Sequence, residues 1–219
     1  MITASPSIGT TLGNLISTVK NLIPVVGPMI SNTTTKIAEL AKTYLPTVAK
    51  FVEAFAQGMQ ILLENETVDD IGRKAKLSDK SPEDFDSIHD YIDHLRSQVK
   101  PDAEKIETET DIDKYINLAI GTALMIKTIN ETKETTIPVE TWISLAKLGL
   151  ETTEAEALLD SFKETYDQLN AYLNGQHTPE QEIATGDKLT EVYKELYPEL
   201  SDAEIESKVM QLELSEDKK

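Results

Sequence analysis

The sequence predicts an all-α fold, a multi-helix bundle of roughly seven to eight helices with an apolar N-terminal helical hairpin, and three observations predict it. Apolar residues recur at alternating three- and four-residue spacing through most of the chain. The turn signals read as helix caps and helix ends, including the Asn174-Gly175 pair, and not as the turns of strand hairpins. No stretch alternates apolar and polar residues with the period of two that a half-buried strand requires.

The elements follow in order. Leu12, Leu15, Ile16, Val19, Leu22 and Ile23 give a helix near 8–23. Pro24, Gly27 and Pro28 break it, because proline lacks a backbone donor and clashes with the preceding turn. The stripe resumes at Ile37, Leu40, Tyr44, Val48, Phe51, Val52 and Phe55, predicting helices near 33–44 and 47–64 around Pro46. Ser81-Pro82-Glu83-Asp84 supplies a cap, a first-turn proline and acids suited to the helix dipole, so a helix is expected from Pro82 to about Val99. Thr110-Asp111-Ile112-Asp113 opens the next, with Ile116, Ala119, Ile120, Ala123 and Leu124 marking it as a central core helix. A short helix carries Trp142 and ends at Gly149; Thr153 and Glu156 have capping-box spacing for a helix through Leu173. Leu189, Val192, Tyr193 and Leu196 mark another helix, and Ser201 with Glu204 caps the last.

Charge divides the chain. Residues 1–60 hold Glu39 and Glu53 against Lys20, Lys36, Lys42 and Lys50, a net of +2, which leaves −20 for the remainder of a chain at −18. The expected organisation is therefore weakly cationic apolar helices over 1–65, a charged linker over 66–81, an acidic helical bundle over 82–214 and a frayed tail over 215–219. This acidity argues against nucleic acid, whose phosphates need cations to displace counterions, and Arg73 and Arg96 are the only arginines. With no cysteine there is no disulfide or thiolate chemistry. Met1 to Pro6 carry no basic group, the first being Lys20, so the basic region of a secretory signal is missing and a cytoplasmic location is expected. No uncharged run is long and apolar enough for a membrane span.

Asp86, His89, Asp90, Asp93 and His94 share one expected helix at three- and four-residue spacing, which makes them the weak candidates for a metal site. The bland reading is a solvated helix face. The dipeptide His89-Asp90 is also that of the HD phosphohydrolases, but a chain with three histidines hardly provides the further histidines that such a site needs. Residues 138–173 have the outline of a helix-turn-helix, yet this segment is acidic where a reading helix needs neutral or basic groups. No phosphate-binding glycine loop, nucleophile elbow or zinc-protease helix occurs. No enzymatic activity, cofactor or catalytic residue is assigned on these grounds.

The leading expectation is a non-catalytic protein–protein interaction or assembly protein, a scaffold or adaptor that binds a partner or itself through its apolar N-terminal helices. The contact candidates are Leu12, Leu15, Val19, Leu22, Val26, Leu40, Tyr44, Phe51 and Phe55, each of which also suits the chain's own core. A membrane-interface protein is the alternative. Leu22-Ile23-Pro24-Val25-Val26-Gly27-Pro28 resembles the apolar turns near hydrophobic segments of some bacterial secreted toxins, which extends that alternative to a toxin-associated helical protein. A metal- or carboxylate-dependent hydrolase is the remaining class.

Overall fold

The computed structural model describes residues 23–41 and 44–214, and among them every regular element is helical. The all-α prediction therefore holds. The helix expected near 8–23 lies almost wholly outside the described residues, as does the 215–219 tail. Contacts group the chain into two units, one ending at Glu134 and the other beginning at Thr135. Among the described residues, no helix is long and apolar enough to cross a membrane.

The first unit contains α1 (Ile23–Ala41), α2 (Leu45–Gly58), α3 (Val68–Leu77), a short 3-10 turn (Pro82–Asp84), α4 (Ile88–Gln98), α5 (Ala103–Glu107) and α6 (Asp111–Thr132). α1, α2, α3 and α4 all pack on α6. Thr110 starts α6 as a capping box with Asp113, and the helix is then buried on nearly every side from Ile116 to Asn130. Burial of polar side chains is offset locally: Thr122 and Thr128 donate to the Leu118 and Leu124 carbonyls at 2.7 and 2.8 Å.

The closest packing is between α3 and α6. A Cβ added to Gly72 would lie 1.8 Å from the Asn117 carbonyl oxygen, and one added to Gly121 would lie 1.7 Å from that of Val68. Each glycine thus makes room for a carbonyl of the opposite helix. Residues 66–81, expected as a linker, contain α3 and bury Val68, Ile71, Gly72 and Ala75. Charge density hid a well-formed helix: Thr67 accepts from the Asp70 amide, Asp69 and Asp70 occupy the first turn, and Lys74 and Lys76 the last.

Other differences have local causes. The break expected at Pro24–Pro28 is a kink inside α1 at Gly27, with φ 75° and ψ 156°, a conformation that disfavours side chains. Glu83 then accepts from the freed Met29 amide at 3.0 Å. α2 stops at Gly58, not near 64, because the amides of Ile61 and Leu62 turn back onto the Ala56 carbonyl at 2.9 and 3.2 Å. The single helix expected over 82–99 is interrupted at extended Phe85, after which Ser87 caps α4 by accepting from Asp90. These interruptions yield more and shorter helices than the seven to eight expected. The described parts of the N-terminal segment are two helices, α1 and α2, that touch each other and each pack against α6.

The second unit contains α7 (Val139–Leu148), α8 (Thr152–Ser161), α9 (Tyr166–Leu173), α10 (Pro179–Leu196) and α11 (Asp202–Met210). Gly149 ends α7 in the left-handed region at φ 72°. The capping box of α8 is formed by Glu151 and Glu154, two residues before the pair expected, while Ser201 and Glu204 do cap α11. The helix expected through Leu173 is split by a turn in which the Thr165 amide donates to Phe162 at 2.8 Å. Trp142, Phe162, Leu169, Leu189 and Tyr193 form the core, and the Leu214 amide ties the chain end to the Leu173 carbonyl at 2.7 Å.

Gly72→Ala and Gly121→Ala should each lower the free energy of unfolding in urea by about 1–3 kcal/mol, the usual cost of overpacking, despite alanine's better helix propensity. Gly58→Ala, where an added Cβ meets nothing within 4 Å, should be neutral or stabilising. Equal midpoints for all three variants would contradict the close crossing.

Candidate functional site

The five candidate metal ligands do not converge. Asp90 bonds the Ser87 hydroxyl at 2.7 Å, Asp93 bonds Arg96 at 3.2 Å, and Asp86 is exposed. His89 lies between Thr132 Oγ1 at 3.2 Å and Glu131 Oε1 at 3.4 Å. His94 turns inward against the Phe85 ring, 5.1 Å between centroids, and its buried Nε2 has no hydrogen-bond partner among the described residues. Among the described residues, no group of three or more acidic or histidine side chains is arranged to hold a metal ion.

Of the nine contact candidates, Leu12, Leu15, Val19 and Leu22 lie outside the described residues. Val26, Phe51 and Phe55 are buried, Tyr44 is half-buried, and Leu40 is 45% exposed. Burial of Val26, Phe51 and Phe55 makes these three core residues. α1 buries Ile30, Ile37 and Ala41 fully, while its exposed side is mixed, with Met29 and Leu40 at 45% exposure beside Asn32, Lys36 and Glu39.

The most developed polar cluster surrounds Arg73, on α3. Its Nε and Nη2 donate to the two Glu109 carboxylate oxygens at 2.9 and 3.1 Å, its Nη1 donates to Asp70 at 2.7 Å, and Nη2 also pairs with Asp69. Asn117 of α6 donates to Glu109 at 3.0 Å. These bonds fasten the segment before α6 to both crossing helices. The Glu109 bond, together with the Asp69 and Glu109 charges, outweighs burial and raises the Arg73 pKa, so its charge is permanent. The Arg73 bond also holds the Glu109 carboxyl below the ordinary range. Asp69 moves the other way, since burial and the charges of Glu109 and Asp70 outweigh the attraction of Arg73.

Arg73, Lys76, Leu77, Ile106, Glu109 and Asp113 line part of an adjoining pocket. The guanidinium is already committed to three carboxylates, and Lys76 bonds Asp113 at 3.2 Å. The cluster is a structural tie and offers little to a ligand anion. Arg96 makes a second tie, donating to Glu66 at 2.7–3.0 Å and to the Ile61 carbonyl at 2.7 Å. Burial would raise the Glu66 carboxyl, but bonds from Arg96 and the Leu63 amide hold it lower. Both arginines therefore work inside the first unit. The i−4 and i−3 spacing of Asp69 and Asp70 from Arg73 was visible in sequence; the tertiary partners Glu109 and Glu66 were not.

In the second unit, Glu154 and Glu156 of α8 have different surroundings. Glu156 is exposed, whereas Glu154 is buried and accepts from the Tyr197 hydroxyl at 2.7 Å. That bond, with burial and neighbouring carboxylates, pushes the Tyr197 phenol up to about 12. Lys208 Nζ completes the group, 3.6 Å from Glu154 and over the Tyr197 ring at 4.5 Å.

Glu109→Gln should lower unfolding stability at neutral pH by about 1–3 kcal/mol, the range for loss of a charged hydrogen bond. Because Glu109 and Glu66 titrate below their unfolded values, their contribution is present above the glutamate range and lost as pH falls through their folded values. Raised Asp69 has the opposite sign, its contribution being lost as pH rises. Urea unfolding across acid pH should show the wild-type and Glu109→Gln curves converging; a constant gap would contradict the assignment.

Comparison of the chain with models of protein families, with curated proteins and with solved structures finds no match.

Proposed function

We propose that the chain is a non-catalytic protein–protein interaction or assembly protein whose N-terminal helical region is the contact element, and that its contact is with a second copy of itself. The observation that carries this reading is a pair of large apolar side chains left in solvent on α1: Met29 and Leu40 are each 45% exposed and about three helical turns apart, so they share one side of the helix with exposed Asn32 and Lys36. Isolated exposed apolar side chains are ordinary. These two gain weight from their position on the helix that continues the apolar stripe of Leu12, Leu15, Val19 and Leu22.

Charge supports the same placement. The first 60 residues carry +2 against −20 for the rest, so this is the region where two copies meet with the least repulsion. Val26, Phe51 and Phe55 would serve the contact only indirectly, by holding α1 and α2 in the core, since a buried side chain presents no surface. Leu40, already among the contact candidates, is joined by Met29 in place of the phenylalanines.

Light scattering after gel filtration tests the reading on the full chain. The wild type should form a defined oligomer at micromolar concentration, and Met29→Lys with Leu40→Lys should shift it at least tenfold toward monomer with unchanged helical circular dichroism. A wild type that stays monomeric, or a folded double variant that associates as well as the wild type, would overturn it.

A further inference from the structure

In the second unit a buried carboxylate and two tyrosine rings surround one ammonium, that of Lys208, and the recess that it fills is defined by these groups. Its floor is the Glu154 carboxylate on α8, which is buried and fixed by the Glu151 amide at 3.2 Å and the Tyr197 hydroxyl at 2.7 Å. Its walls are the rings of Tyr193 and Tyr197, one helical turn apart, with centroids 5.9 Å apart and planes inclined at 32°. Lys208 of α11 reaches in, with Nζ 4.5 Å from the Tyr197 centroid, 5.9 Å from that of Tyr193 and 3.6 Å from Glu154. Two π faces and a desolvated carboxylate around one ammonium are what recognition of an alkylammonium group requires.

Two other lysines of the unit are held differently. Lys188 lies over the single ring of Phe162 at 4.3 Å, and Lys194 pairs with exposed Asp202 at 2.7 Å. Only the Lys208 site combines two rings with a buried carboxylate among these three. The Lys208 side chain remains 39% exposed, so it enters from solvent and has a path out. Glu151 and Glu199 lie near enough to act on the Tyr197 hydroxyl, and the unit from Thr135 onward carries nineteen acids against seven lysines, a net of −12. That field concentrates cations at the recess.

We propose that the Glu154–Tyr193–Tyr197 recess is a binding site for the primary or methylated ammonium of a partner protein's lysine, and that Lys208 is its intramolecular placeholder. An incoming ammonium exchanges for Lys208 with the same carboxylate and ring faces, and no covalent step is involved. Lys208 competes from within the chain at an effective concentration on the order of millimolar. The site thereby answers only to a cation presented with additional contacts. This inference is independent of self-association through α1, and either can fail alone.

Tetramethylammonium is the probe, titrated by nuclear magnetic resonance into the full chain and into Lys208→Gln and Lys208→Ala. The variants should show saturable shifts at Tyr193 and Tyr197, with binding about tenfold tighter than wild type once the internal competitor is gone. Adding Tyr197→Leu or Glu154→Gln to a folded Lys208 variant should abolish those shifts. Two Lys208 variants guard against the misfolding of one, which the dispersion of the spectrum reports. If a folded variant gives no saturable shift, or if the shifts survive loss of Tyr197, the recess is merely a clamp for α11 and the proposal falls.

Discussion

Where α3 crosses α6, Gly72 and Gly121 each leave the space that a carbonyl of the other helix fills. Any side chain at either position would drive the two backbones apart, because the obstructing atoms are main chain and have no rotamer into which to retreat. The short distance sets what the neighbouring residues do. Ile71 and Ala75 become core, Asn117 is buried at the crossing, and α6 is enclosed nearly all round. α1 and α2 then cover the remaining apolar face of α6, which is why their own stripes point inward.

The same crossing explains the polar network. Close approach leaves Asn117 and Arg73 out of reach of bulk water, and a buried donor without a partner is costly. Glu109 accepts from both, with Asp69 and Asp70 adding charge from the preceding turn of α3. Surrounding one guanidinium by three carboxylates is unfavourable to Asp69, which burial and the charges of Glu109 and Asp70 raise against the attraction of Arg73. The second unit solves an equivalent problem with a different set. There, buried Glu154 is met by a phenol and an ammonium, and the ammonium's exposed stem makes that arrangement exchangeable in a way the Arg73 tie is not.

Much of the helical content was legible because caps and apolar spacing are local. Thr110 with Asp113 and Ser201 with Glu204 cap as their spacing requires, and Gly149 ends its helix. What escaped was tertiary. α3 looked like a linker because its charges stood out, although Val68, Ile71, Gly72 and Ala75 have the spacing of a buried helix face; two of the four are too small to mark a core stripe until the close crossing with α6 is known. Ser81 caps the short 3-10 turn and Ser87 then caps α4, while Glu151 takes the place expected of Thr153 at α8, and each depends on where the chain must turn. The spacing of Asp86, His89, Asp90, Asp93 and His94 suggested convergence, but adjacent helical turns fan those side chains toward separate partners. Neither Glu109 for Arg73 nor Lys208 for Glu154 had a sequence signal, since long-range pairing among 39 acids is unspecified until the helices pack.

Native-state hydrogen exchange on the full chain tests most directly whether the glycine crossing organises the first unit. The amides of Ile71 to Ala75 in α3 and of Ala119 to Leu124 in α6 should exchange through one shared opening, at the slowest rates in that unit, with the same dependence on denaturant. If α3 opens on its own at a lower free energy while α6 keeps its protection against α1 and α2, the crossing is a peripheral contact and the unit is held together elsewhere.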